Sequence, residues 1–319
     1  MSRYWYQPID SSRIRTRPIQ ARTTKVTVND FARVYEKGTG LAGFVDRLPR
    51  ILAGSDFRRV VEAMCAARSK KRALIWGLGA HVIKCGLNPV LIDLMERGFV
   101  TALALNGAGA IHDFEVGIAG STSEDVDSEL ETGDFGMSGE TAQWMNEAIQ
   151  PVAAQGLGLG EAFGAYVEQN VARFPHRKLT LLGNAYQQKI PVTVHVALGT
   201  DTTHTHPASD GSLLGKSSLH DFRLFAAIVR DLNDGGIYLN CGSAVILPEV
   251  FLKAISLVRN LGHPLGHFTT VNFDFIQHYR PHQNVVCRPT RSSGQGIALT
   301  GHHELMIPLL AAALIESEA

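Results

Sequence analysis

A glycine-rich turn followed at once by a histidine and an aspartate is the first feature of this chain that could do chemistry. Residues 101–113 read TALALNGAGAIHD, an apolar run followed by the four small residues of GAGA, by one isoleucine, and then by His112 and Asp113. Glycine lets the backbone approach a ligand closely, and ligands bind at the carboxyl ends of parallel strands. A tight connection whose glycines serve only packing explains the same letters. Neighbouring helical residues diverge by about 100°, so His112 and Asp113 are expected to contact a ligand separately.

A second polar group follows another strand-like run. The segment VHVALGTDTTHTHP, residues 194–207, contains Asp201, His204 and His206. Imidazole nitrogen and carboxylate oxygen are ligands for zinc or iron, which makes these residues an alternative metal site. No further histidine or glutamate stands at a standard ligand spacing, so polar loop residues or acid/base groups are the competing interpretation. The main prediction for the chain is that it binds no metal.

The cysteines indicate reduced thiols. They stand at positions 65, 85, 241 and 287, far apart and without a CxxC pair. Cys241 and Cys287 are predicted at strand ends, where a buried, unreactive thiol is the default interpretation. Such cysteine usage is typical of a cytoplasmic protein.

Composition excludes two classes of partner. The chain has 319 residues, of which 45% are hydrophobic, and its 30 basic and 30 acidic residues cancel. A balanced charge gives no attraction to nucleic acid. No apolar run of about 18 residues occurs, so no membrane span is predicted. A small-molecule substrate is the expected partner.

The elements that position these residues alternate between short apolar runs and longer amphipathic stretches. This pattern is typical of repeated strand and helix units, and it predicts an α/β fold with one large Rossmann-like domain, a mostly parallel sheet and helices on both faces. Strands are predicted near residues 73–76, 100–105, 179–182, 192–197, 236–241, 268–273, 285–288 and 296–300.

Three segments depart from the alternation. Residues 1–24 are interpreted as an N-terminal arm that precedes a domain over residues 25–319. The acidic stretch 121–134 is predicted to be a mobile loop, and the Gly- and Ala-rich stretch 153–164 a flexible lid.

Four segments, taken in order, resemble the deoxyhypusine synthase family. They are NGAGAIHD at 106–113, LETGDFGMSGE at 130–140, IPVTVHVALGTD at 190–201 and the C-terminal run VVCRPTRSSGQGIALTGHHELMIPLLAAAL at 285–314. Enzymes of this family use NAD to move an aminobutyl group from spermidine to a lysine of a translation factor. The resemblance implies a Rossmann-like domain, a homotetramer, and active sites at subunit contacts where NAD binds.

The resemblance breaks at the residue that carries the covalent step. The family has a lysine in a segment that matches VVCRPT here, and Pro289 falls on its position. Proline has no amine and cannot form a Schiff base. Lys84, Lys189 and Lys216 lie in other segments.

Histidines also stand where the family has acidic residues. His112, His206 and, less securely, His302 take these positions. Because ammonium groups bind to carboxylates or aromatic faces, the substitutions favour a neutral or anionic ligand and disfavour spermidine.

The leading hypothesis is a deoxyhypusine synthase-like enzyme, a transferase or NAD-assisted enzyme that acts on a small molecule other than a polyamine. His112 and His206 are the predicted proton-transfer groups, with Asp201 orienting them or binding a ligand hydroxyl. The predicted cofactor contacts are Asn106, Gly107, Gly109 and Asp113.

Two alternatives stay open. One is a metal-dependent hydrolase or lyase that uses His204, His206 and Asp201. The other is a non-catalytic paralogue that keeps the fold. Genuine aminobutyl transfer from spermidine is disfavoured in all three interpretations.

Overall fold

The computed structural model describes residues 3–151 and 156–318, and its centre is a six-stranded sheet in which every pair is parallel. The strand order is β3-β2-β1-β4-β5-β6. The strands are β1 Leu74–Leu78, β2 Ala102–Asn106, β3 Val192–His195, β4 Ile237–Cys241, β5 Thr269–Asp274 and β6 Gln295–Thr300. This is the order of a doubly wound Rossmann sheet, whose direction of winding reverses between β1 and β4.

Helices connect the strands and cover the sheet. They are α1 Gly40–Arg47, α2 Leu52–Ser69, α3 Ala80–Lys84, α4 Asn88–Glu96, α5 Gly107–Ala119, α6 Val126–Thr132, α7 Gly139–Ile149, α8 Leu159–Gln169, α9 Leu181–Gln187, α10 Gly211–Arg230, α11 Ile246–Asn260, α12 Tyr279–Pro281 and α13 His303–Glu316. A π-helical turn, His282–Cys287, follows α12. In the part of the chain that the structure describes, no helix is long and apolar enough to cross a bilayer.

Both faces of the sheet are buried, as the continuous apolar runs of its strands require. Trp76 and Leu78 of β1 pack into the larger core, and the indole N–H of Trp76 donates to the carbonyl of Phe99 at 3.0 Å. Ile75 and Tyr238 belong to the core on the opposite face. The predicted single Rossmann-like α/β architecture is therefore confirmed.

Two predicted strands are wrong. Residues 179–182 lie at the start of α9, where the Thr180 side chain accepts a hydrogen bond from the Gly183 N–H. Residues 285–288 fall in and just after the π-helical turn. Short apolar runs do not separate a strand from a buried helical segment, and both segments were of this kind.

The N-terminal segment is open to solvent. Residues 3–29 are exposed throughout, including Trp5 at 99% and Ile9 at 94% of their full accessible surface. Residues 1 and 2 of the predicted arm lie outside the described residues. So do residues 153–155 of the predicted lid, whose later part belongs to α8.

The acidic stretch 121–134 is not a loop throughout, because α6 occupies its second half. An αL glycine, Gly133 with φ of 84°, ends this helix. The segment lies over the carboxyl edge of the sheet, beside the cavity described next.

Candidate active site at the carboxyl ends of β2 and β3

A cavity of about 220 Å³ opens beside the glycine-rich turn that follows β2. Its walls come from α3, the first half of α5, the acidic segment before and within α6, the start of α7 and residues 200–203 after β3. Five ionisable side chains line it, namely Lys84, His112, Glu115, Glu124 and Asp201. The chain therefore has a concave polar site at the edge of the sheet where ligands bind in this architecture.

His112 is held by two partners on the same side of its ring. Its Nδ1 lies 2.6 Å from the Thr122 hydroxyl oxygen and 3.3 Å from Oε2 of Glu115. The Thr122 hydroxyl also donates to Glu115. Burial raises the pKa of Glu115, but hydrogen bonds from His112 and Thr122 outweigh it and hold that pKa below its ordinary value. Nε2 is the ring nitrogen left for a ligand.

The sequence-based analysis missed Glu115, although a signal was present. His112 and Glu115 stand three residues apart on a helix, a spacing that places both side chains on one face. In the sequence, the carboxylate considered beside His112 was its neighbour Asp113.

Asp201 closes the amino end of α5. Gly107 lies against its carboxylate, and a Cβ atom at position 107 would overlap Oδ2. This oxygen is buried and has no hydrogen-bond partner among the described residues. Burial raises the pKa of Asp201, and the nearby His204, with Nε2 at 3.8 Å from Oδ2, opposes that rise. The cavity is thus lined by a carboxylate whose buried Oδ2 has no hydrogen-bond partner among the described residues.

Lys84 places an amine beside these carboxylates. It is the last residue of α3, and the sequence-based analysis set it aside because it lies far from the family's lysine segment. Glu115, Glu124 and Asp201 are the carboxylates that share its cavity. A set of three carboxylates was not expected from the sequence, where histidines at acidic family positions favoured a neutral or anionic ligand.

Asp113 faces the interior, away from the cavity. It is 0% exposed, and it accepts hydrogen bonds from the backbone N–H groups of Leu181 at 2.7 Å and Leu182 at 2.9 Å. Asn88 donates its amide at 2.8 Å. Asp113 therefore caps the amino end of α9, and both of its carboxylate oxygens already accept hydrogen bonds. This position departs from the expected cofactor contact.

The loop histidines do not assemble a metal site with Asp201. The 3₁₀ turn Thr202–Thr205 turns His206 away, and its Nδ1 accepts from the Ala208 N–H at 3.1 Å. His206 lines a separate surface depression with Glu147. His204 accepts from the backbone of Gly199 at 3.2 Å. The expectation that His206 works beside His112 and Asp201 is corrected accordingly.

The cysteines predicted at strand ends differ in access. Cys241 ends β4 and is fully buried, which raises the pKa of its thiol. Cys287 is exposed and is the last residue of the π-helical turn, with Sγ 3.7 Å from Nδ1 of His282.

No protein-family model and no curated protein matches this sequence. Solved structures do. A candidate deoxyhypusine synthase from Entamoeba histolytica superposes with a TM-score of 0.52 and 14% identity, over 90% of this chain and 96% of that one. The chain has the deoxyhypusine synthase fold. The sequence-based resemblance is confirmed at that level.

Two further structures share the fold. A conserved candidate LOR/SDH protein from Methanococcus maripaludis S2 gives a TM-score of 0.53 with 16% identity, over 84% of this chain and 71% of that one. AgrE, solved as a ternary complex with ornithine and NAD+, gives 0.53 with 15% identity over 85% of this chain. The match spans 35% of the AgrE chain.

The covalent step of the deoxyhypusine synthase family has no amine at its predicted place in this fold. Pro289 is buried behind the π-helical turn, and its carbonyl accepts from the Arg259 guanidinium at 3.1 Å. The amine that the cavity does contain belongs to Lys84, which follows β1.

The residues predicted to hold NAD do not fit its phosphates in this conformation. A helix amino terminus binds phosphate through free N–H groups. Here the Asn106 side chain accepts the Gly109 N–H at 2.9 Å, and the Asp201 carboxylate stands against Gly107. The cavity, at about 220 Å³, is smaller than pockets for drug-sized ligands, which run to roughly 300–1,000 Å³.

Proposed function

We propose that this protein is an enzyme of the deoxyhypusine synthase fold that acts on a small zwitterionic amine, of the amino acid type, held in the 220 Å³ cavity. The observation that carries the proposal is the convergence of one lysine, one histidine and three carboxylates around that cavity. Proton transfer by His112 is the chemistry that the site supports best.

Charge and size both favour such a ligand. Lys84 suits a substrate carboxylate, while Glu124 and Asp201 suit ammonium groups. The volume matches a ligand smaller than a drug-sized molecule. The fold neighbour AgrE was solved with ornithine, an amino acid that carries two amines, and this supports the proposed class.

The histidine has the arrangement of a general base. Thr122 and Glu115 engage Nδ1 and fix the ring, so Nε2 exchanges the proton with the substrate. Glu115 stabilises the imidazolium that forms, in the way a carboxylate orients a catalytic histidine. Asp201, which lines the same cavity, orients the substrate.

NAD is kept as the proposed cofactor on the strength of the fold resemblance and of the AgrE complex with NAD+. Its binding at the α5 amino end requires Asp201 to move away from Gly107. We also propose a homotetramer with the sites near subunit contacts, as the resemblance implies.

Calorimetry with matched ligands tests the substrate class. We expect L-ornithine to bind, and norvaline, which lacks the side-chain amine, to bind roughly tenfold to a hundredfold more weakly, the worth of one charge-assisted hydrogen bond. Lys84→Met and Asp201→Asn are expected to weaken ornithine binding, whereas His206→Ala, outside the cavity, leaves it unchanged. Tighter binding of spermidine than of any amino acid contradicts the proposal.

Turnover is tested separately, with and without NAD. We expect product from the bound amino acid in the wild-type protein and its loss in His112→Gln. Binding without turnover under both conditions identifies the non-catalytic paralogue.

A further inference from the structure

A second group of reactive side chains lies outside the cavity. His81 belongs to α3, the helix that follows β1, and Cys85 is the C-cap residue after the last helical residue, Lys84. Glu304 lies in the first turn of α13, after β6. One ligand atom from each residue falls within 4.8 Å of the other two. In residues 3–151 and 156–318 no other histidine, cysteine and carboxylate group meets this criterion.

The spacing of these atoms matches a common ion. Sγ of Cys85 lies 3.4 Å from Nε2 of His81 and 3.7 Å from Oε2 of Glu304. Tetrahedral zinc, with bonds of about 2.3 Å to sulfur and about 2.0–2.2 Å to nitrogen or oxygen, separates such ligand atoms by about 3.6 Å. Both observed separations are within a few tenths of an ångström of that value.

We propose that His81, Cys85 and Glu304 form a binding site for a divalent transition-metal ion of the zinc type. Thiolate, imidazole and carboxylate are the donors that zinc prefers. On binding, the Cys85 thiol gives its proton to solvent and the sulfur bonds to the metal as thiolate. Three protein ligands leave a fourth position for water, as in zinc sites that keep an open coordination position.

Neighbouring groups support the ligands. Oε1 of Glu304 lies 3.7 Å from Nδ1 of His302, whose ring stacks on Phe275 at a centroid distance of 6.0 Å. The His81 ring packs edge-on against His303 at 5.7 Å. Packing of this kind restricts the rotation of the Glu304 and His81 side chains.

A catalytic triad would arrange the same three residues differently. In a triad the carboxylate bonds to the histidine nitrogen that faces away from the nucleophile. Here the Glu304 carboxylate converges on the sulfur itself. Convergence of all three donors on one point is what a metal requires.

Cobalt titration of metal-free protein, purified without a histidine tag, tests the site. We expect one equivalent of Co²⁺ to produce the thiolate-to-cobalt charge-transfer absorption, and Zn²⁺ to displace it. Loss of a group that only orients a metal ligand costs roughly tenfold to a hundredfold in metal affinity. Because Cys85 is itself a ligand, Cys85→Ser is expected to abolish the band and to weaken zinc binding about a hundredfold or more. Glu304→Gln is expected to weaken binding while retaining the band.

The chain supplies a matched control. Cys287 lies 3.7 Å from Nδ1 of His282, so it forms a cysteine and histidine pair that lacks the carboxylate. Cys287→Ser should leave the stoichiometry and the band unchanged, and circular dichroism of each variant confirms folding. No band in the wild-type protein, or a band that survives Cys85→Ser and disappears in Cys287→Ser, overturns the proposal. The metal readout is independent of the amino acid ligand, so either proposal can fail alone.

Discussion

Replacing Asp113 separates a structural role from a cofactor role. The side chain is fully buried and accepts from the backbone of Leu181 and Leu182 and from the Asn88 amide. Asp113→Ala leaves three buried donors unpaired, and each costs about 1–3 kcal/mol. We expect the free energy of unfolding to fall by about 3–9 kcal/mol. That is a large part of the roughly 5–15 kcal/mol that holds a protein folded.

The assay is urea unfolding followed by circular dichroism. Asp113→Asn keeps one acceptor oxygen and is expected to lose less than the alanine variant. Asp210 provides the matched control, because it caps α10 from an exposed position, with Oδ1 2.8 Å from the Ser212 backbone nitrogen. Asp210→Ala should cost only about 1 kcal/mol.

The pKa of Asp113 gives the same reasoning a second readout. Burial raises it to about 7 against the hydrogen bonds that lower it. A raised pKa in the folded state means that the stability contributed is fully present below the ordinary value of 3.8 and is lost as the pH rises through 7. A variant that unfolds like the wild type at every pH but no longer binds NAD would refute the structural role.

Three further predictions follow from the site and the N-terminal segment. Gly107→Ala should lower the melting temperature and ligand affinity because its Cβ overlaps Asp201 Oδ2, whereas Gly139→Ala, with open space around position 139, should change neither in thermal shift and calorimetry. Glu115→Gln should make the free energy of unfolding, measured in urea, depend less on pH in acid. The lowered pKa of Glu115 contributes stability that is present above the ordinary value of 4.5 and is lost as the pH falls through the lowered pKa. The exposed aromatic and aliphatic side chains of the N-terminal arm are expected to bind a second copy of the chain. Deletion of residues 1–24 should therefore lower the number of subunits per particle measured by light scattering, and an unchanged number contradicts that role.

The order of elements was predictable because it depends on patterns within short windows. Asn88 followed by Pro89 predicts a helix with Asn88 as its N-cap. The helix α4 is there, but it begins one residue earlier, with Leu87 as the N-cap and Asn88 as the first helical residue. The apolar run from His303 predicts a buried helix, and α13 begins there and continues through Pro308. The strand predictions were wrong only where a short apolar run is helical, as at residues 285–288.

The motif at 106–113 shows where local reasoning ends. The sequence alone predicted a strand near residues 100–105 followed by a glycine turn and a helix, and the structure has β2 ending at Asn106 and α5 starting at Gly107. It could not determine which face of that helix His112 and Asp113 occupy relative to the rest of the protein. The structure turned Asp113 inward to cap α9 and left His112 at the cavity.

Long-range contacts account for what the sequence could not decide. The parallel strands bring the residues after β1, β2 and β3 to one edge, so Lys84 and Asp201 line the same cavity. The strand order β1-β4-β5-β6, with α13 following β6, brings Cys85 to Glu304. Patterning of apolar residues is a local property, read over a few residues at a time. Which side chains meet depends instead on how helices pack on the sheet, and that is decided only when the whole chain folds.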